Sequence, residues 1–237
     1  MDRLTRKELK SDRFALEVQH SVEYVAEHQR QLIRWGGVAV AVAVVILAIF
    51  FYRSHEREVR QEDLRAAQRV QNATIGPQGS DQILAYPTAQ ERSKAMVKAF
   101  GDIVTKYSGS DEAVIAQYTL GVNAADDGNT AEAEKRFKAA VDSGTAPYDS
   151  LAKLALAQIY ASEGKLADGK QLIQSVIDHP TVLVSKEAAT IAMAQLIAPT
   201  DPAGARKLLE PLRNLGNPRS NVSQAALNAL SDLNPQK

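Results

Sequence analysis

The sequence predicts an all-α protein in which a single transmembrane helix is followed by an α-solenoid of helical repeats. Three observations predict it. Residues 35–52, WGGVAVAVAVVILAIFFY, form an apolar run without charge or proline, closed by Arg34 and Arg53. From Ala89 onward the chain is rich in alanine, and its apolar residues recur at helical spacing. Those helical segments also repeat, with Phe137, Ile173 and Leu209 a constant 36 residues apart.

The apolar run comes first. A spanning helix needs about 20 apolar residues, and these 18 just reach. In lipid a single segment must satisfy its own backbone hydrogen bonds, which leaves a helix. Trp35 at one end and Phe50, Phe51 and Tyr52 at the other suit the two membrane interfaces. A cleaved signal peptide has a shorter apolar core near the N-terminus and ends in small residues. Here 34 residues precede the run and it ends in Phe50-Phe51-Tyr52-Arg53, which predicts an uncleaved anchor.

Composition limits the chemistry. The chain has 237 residues, 24% of them charged, and a formal net charge of zero, so no basic field points to nucleic acid. It has no cysteine, which excludes disulfides, thiolate catalysis and cysteine zinc sites.

Residues 1–34 are expected to be a tail with an amphipathic helix. Phe14, Val18, Val22, Val25 and Leu32 fall on one helical stripe, suited to a membrane surface or a partner. Glu17 and His20 have the spacing of a metal-ligand pair, but no further ligands accompany them, so they are expected to be surface. Residues 53–88 are expected to be a helical stalk and loop. The stalk carries a thin stripe of Val59, Leu64, Ala67 and Val70, and Ile75-Gly76-Pro77 breaks it. The loop closes at Tyr86-Pro87-Thr88, where Thr88 and Glu91 form a capping box.

Residues 89–237 are expected to be the repeat domain. One unit places Leu120-Gly121, Gly128, Ala133, Phe137 and Ala140. The next places Leu156-Ala157, Gly164, Gly169, Ile173 and Val176, and the third Ala192-Met193, Thr200, Ala205, Leu209 and Leu212. Small residues let two helices approach, bulky ones fill the gap to the next pair, and the glycines at 128 and 164 stop helices. Met96, Phe100, Ile103 and Tyr107 look like a second helix lacking a standard first one. Residues 220–233 look like a C-terminal capping helix.

The first unit resembles the tetratricopeptide repeat, whose pattern is met by Leu120, Gly121, Gly128, Ala133, Phe137 and Ala140. Tyr160 keeps the tyrosine position in the second unit. The expected tryptophan is missing, with Gln117, Lys153 and Ala189 in its place. The resemblance implies a protein-binding concave face supplied by the first helix of each pair. Its candidates are Ile115, Tyr118, Val122, Leu151, Leu154, Gln158, Thr190 and Ala194, each of which could instead be core. They lack the Lys/Asn constellation that clamps an acidic C-terminus, which favours apolar or extended segments.

The layout of tail, span, arginine-rich stalk and repeat domain, with the entry Val22-Glu23-Tyr24-Val25-Ala26-Glu27-His28 leading to Trp35, is similar to the ancillary subunit of the bacterial SecYEG translocon (the YfgM-like family). That resemblance implies a single-pass inner-membrane protein with a cytoplasmic N-terminus and a periplasmic repeat domain. It implies as partners the translocon, periplasmic chaperones and newly exported proteins. A structural scaffold for another envelope assembly, in division or polysaccharide export, is the rival. Charge alone points the other way on orientation. Only Arg30 and Arg34 precede the span closely, whereas Arg53, Arg57, Arg60, Arg65 and Arg69 follow it.

No enzyme is expected. The histidines at 20, 28, 55 and 179 are scattered, and no G-x-S-x-G, P-loop or G-x-G-x-x-G occurs. Neither a cofactor, a metal nor a small-molecule substrate is expected.

Overall fold

The computed structural model describes residues 6–77, 84–144, 147–213 and 220–233, and for residues 6–33 the helical backbone alone. The side chains of the tail stripe and of the Glu17/His20 pair therefore lie outside the described residues. Two compact units divide the chain, Met1–Glu58 and Val59–Lys237. Helix α1, Arg6–Gln71, contributes to both.

In the first unit the described side chains of residues 34–52 are all exposed. Their window has a mean hydropathy of 2.4 with none of it buried, which makes this helix long and apolar enough to cross a membrane.

The second unit is built from helix pairs. The last turns of α1 supply a first helix that the sequence reading lacked. Leu64 and Ala67 are buried against Met96, Phe100 and Ile103 of α2 (Ala89–Lys106), and the same core takes in Ala116 and Leu120. Polar contacts fasten the edge. Arg60 Nε donates to Glu112 Oε2 at 3.1 Å. The Asp63 carboxylate accepts from Lys106 Nζ at 2.9 Å and from the Tyr107 hydroxyl at 2.6 Å. The half-unit is thus a full pair, its two helices separated by the 74–88 segment. That segment, expected to be loop, holds a two-residue parallel pairing of β1 (Thr74–Ile75) with β2 (Ala85–Tyr86). Thr88 then caps α2, its Oγ1 accepting from Glu91 N at 3.1 Å.

Three further pairs or part-pairs follow. They are α3 (Asp111–Asp126) with α4 (Thr130–Asp142), α5 (Tyr148–Ser162) with α6 (Leu166–Asp178), and α7 (Lys186–Ile197) with α8 (Pro202–Arg213). Helix α9 (Asn221–Asp232) closes the stack. Gly128 and Gly164 turn the first two pairs at φ of 74° and 80°, a left-handed conformation that glycine adopts without a Cβ clash. The third pair turns differently: Asp201 Oδ1 accepts from Gly204 N at 2.8 Å, and Pro202 occupies the first helical position.

Small residues set the spacing within pairs. A Cβ on Gly121 would lie 2.7 Å from the Phe137 ring, and one on Gly169 would lie 2.8 Å from the carbonyl oxygen of Ala157. Phe137, Ile173 and Leu209 then fill the gap to the next helix and are at most 2% exposed. First helices also touch one another, α3 with α5, α5 with α7 and α7 with α9. Among the described residues no two of the second helices α4, α6 and α8 pack to that extent. A stack whose first helices sit closer together than its second helices curves with the first helices inside.

Glycine substitutions test this packing. In an exposed helix Gly→Ala is stabilising by roughly 0.5–1 kcal/mol, and Gly101, with nothing within 4 Å of an added Cβ, should show that gain. Gly169→Ala should reverse the sign. Its Cβ meets backbone, and overpacking of this kind costs typically 1–3 kcal/mol. Denaturant unfolding of the two variants checks the contrast, and a stabilised Gly169→Ala would remove the close-approach account.

Candidate protein-binding surface

The inner layer consists of the first helices, so the candidate surface is the side of α3, α5 and α7 turned away from their second helices. The register of that surface follows from burial. Ala116, Ala152 and Ala189 are each 0% exposed, and Leu120, Leu156 and Met193 form the next buried row. The first helices therefore repeat at 36 and then at 37 residues. The second helices stay at 36 throughout, through Ala133, Gly169 and Ala205 and through Phe137, Ile173 and Leu209. The extra residue enters before α7 and is lost again in the glycine-free turn before α8.

This slip corrects the third unit. Met193-Ala194, rather than Ala192-Met193, occupies the position of Leu120-Gly121. Ala194, a sequence candidate for the binding face, is buried in the core that also holds Ile173 and Leu209. Gln195 takes the exposed position that corresponds to Val122 and Gln158. Ile191 corresponds to Tyr118 and Leu154 and is mostly buried. Thr190 is half-buried, and its Oγ1 donates back to Lys186 O at 2.8 Å.

The other candidates fall on one stripe of the first helices, Ile115, Tyr118 and Val122 on α3 and Leu151, Leu154 and Gln158 on α5. Ile115, Tyr118, Val122, Leu151 and Leu154 are half-buried, each with one flank packed on a core, and Gln158 is exposed. Tyr118 sits at the centre of an aromatic group, its ring 5.8 Å from that of Phe137 and 5.9 Å from that of Tyr148. Burial, helped by the neighbouring Tyr148, pushes the Tyr118 phenol above its usual value near 10. None of the strip residues Ile115, Tyr118, Val122, Leu151, Leu154, Gln158, Thr190 and Gln195 carries a charge. The strip offers apolar area, small side chains and amide groups, which suit segments of another chain. It offers no nucleophile–base pair. Among the described residues no three His, Asp or Glu gather as metal ligands could.

A curved stack of helix pairs, preceded in the chain by one apolar helix, defines an α-solenoid with a candidate membrane anchor. The chain belongs to the tetratricopeptide repeat-like domain family, which it matches over residues 30–203. Domains of this kind are protein-interaction modules and are typically non-catalytic. No curated protein and no solved structure matches the chain.

The raised Tyr118 phenol gives a pH test. A phenol held neutral by burial contributes stability that is complete below its ordinary pKa and is lost as pH rises through the raised one. Titration of tyrosinate absorbance should therefore show one tyrosine lagging the others. Tyr118→Phe should abolish the lagging phase and reduce alkaline unfolding.

Proposed function

We propose that the chain is a membrane-tethered protein-interaction factor of the bacterial inner membrane, resembling the ancillary subunit of the SecYEG translocon. Residues 1–34 are its cytoplasmic tail and 35–52 its span; the stalk runs into the first helix of the leading pair, so the periplasmic repeat domain begins with the last turns of α1 rather than at residue 89. It acts beside the export channel and helps hand newly exported proteins to periplasmic chaperones. The observation that carries this reading is the extent of the family match. It begins at residue 30, ahead of the apolar run, and continues to residue 203, at the start of α8, so the apolar run and most of the repeats fall within one pattern. The full exposure of residues 34–52 supports an anchor, because an apolar helix that no described residue covers suits lipid. The client surface is the uncharged inner strip, with Tyr118 at its centre. Tethering keeps that strip at high effective concentration beside the channel exit.

The test begins with protease treatment of sealed spheroplasts. Digestion of the chain beyond residue 53, with the tail protected, is expected. Protection of the repeat domain would overturn the orientation and with it the export role. Photocrosslinking from Tyr118 and Trp35 comes second. The translocon and a spread of exported proteins are the expected partners. A single stoichiometric partner would instead indicate a fixed scaffold of another envelope assembly.

A further inference from the structure

The inner strip ends in a built feature. Helix α9 occupies the place of a fourth first helix: Ala226 stands 37 residues after Ala189, and both are 0% exposed. By the same step Asp232 of α9 follows Gln195 of α7 on the inner side. Between α7, α8 and α9 lies a recess of about 210 Å3. Buried Ala194 and Leu209 form its floor, half-buried Ala198 and Leu233 its walls, and exposed Gln195 and Asp232 its rim. At the preceding junction Leu196 is buried and reaches within 3.4 Å of the Cβ position of Gly169. Its counterpart Leu233 is the C-cap of α9 and sits at the recess wall instead. A cavity of about 150 Å3 holds one benzene, so this recess has room for one leucine or phenylalanine side chain.

The rim charge indicates what accompanies that side chain. Asp232 lies in the last turn of α9, which carries no basic residue. A carboxylate there faces the negative end of the helix macrodipole, an unfavourable position. Among the described residues it makes no ion pair. Among the described residues it is also the one charged group lining the recess.

We propose that this recess takes a single apolar side chain from an extended segment of another protein, with a lysine or arginine beside it held by Asp232. The proposal rests on the reading of the chain as a protein-interaction module and gives that reading a site and a sequence preference.

The test uses the full chain in lipid nanodiscs and two labelled ten-residue peptides. Each contains one phenylalanine, flanked by lysines in one peptide and by glutamates in the other. Fluorescence anisotropy should show the lysine-flanked peptide binding at least ten-fold more tightly. Ala198→Phe, which fills the recess, should weaken it ten-fold or more. Asp232→Asn, on an exposed side chain that leaves the fold intact, should bring the two peptides towards parity and remove the salt dependence. Equal binding of both peptides, or undiminished binding by Ala198→Phe and Asp232→Asn, would overturn the proposal. So would a mass that doubles with concentration and collapses on Ala198→Phe, which would assign the recess to a second copy. A reduced, unfolded client protein serves as the control. If it binds the chain while the peptides fail, the recess is wrong and the interaction role stands; if it fails too, both fall.

Discussion

The repeat domain depends on how closely the two helices of a pair can approach. At Gly169 the facing backbone stands 2.8 Å from where a Cβ would be, and at Gly121 a ring stands 2.7 Å away. Ala205 holds the matching place in the third pair and is itself fully buried. This contact fixes the depth at which Phe137, Ile173 and Leu209 enter the next interface, and hence the step from pair to pair. Each pair leaves one apolar side open, and the next pair covers it. The stack then gains its stability from neighbouring contacts alone, without any long-range closure.

Much of this was legible in the sequence because the constraint leaves a fixed spacing. Gly128 and Gly164 mark turns that need a positive φ, and Ala133, Gly169 and Ala205 mark the close approach. The apolar run of residues 35–52 is recognisable because nothing in a small helical domain could cover it. Two features were hidden. The slip of one residue in α7 was masked by alanines at 188, 189, 192 and 194, any of which can sit on either face of a helix without a change in pattern. Burial alone separates Ala189 and Ala194 from their neighbours. The first helix of the leading pair was hidden by distance. The stripe Leu64, Ala67 and Val70 was visible, but the 74–88 segment moves it out of the period of the later pairs.

The chemistry of the inner strip follows from the same architecture. First helices carry alanine where they touch one another and their second helices, so larger side chains are spaced along the inner side. Tyr118, Leu151 and Leu154 are each half-covered by their neighbours and half-open. A half-buried side chain is already partly ordered, so little entropy is lost when a segment lies across it. Charges are confined largely to helix ends and outer faces, where pairs such as Lys98–Asp102 and Lys138–Glu134 are solvated and contribute little. Under the proposed function, the apolar part of the strip would discriminate weakly by sequence and take extended apolar chain.

The arginines after the apolar run oppose the proposed orientation when they are simply counted. The fold supplies another reason for one of them. Arg60 is only about a fifth exposed and pairs with Glu112 at 3.1 Å, which joins the end of α1 to the start of α3. Glu112 is mostly buried, and removing its cation would leave an unsatisfied carboxylate, a larger cost than the pair's own attraction supplies. Asp63, beside it on α1, accepts from Lys106 and Tyr107 at the end of α2 in a more exposed contact. These residues are needed wherever the domain resides, so Arg60 carries no information about the side of the membrane. Long segments also cross largely without regard to their charge. The charge count near the span is therefore a weaker guide to orientation than the length of chain that follows it.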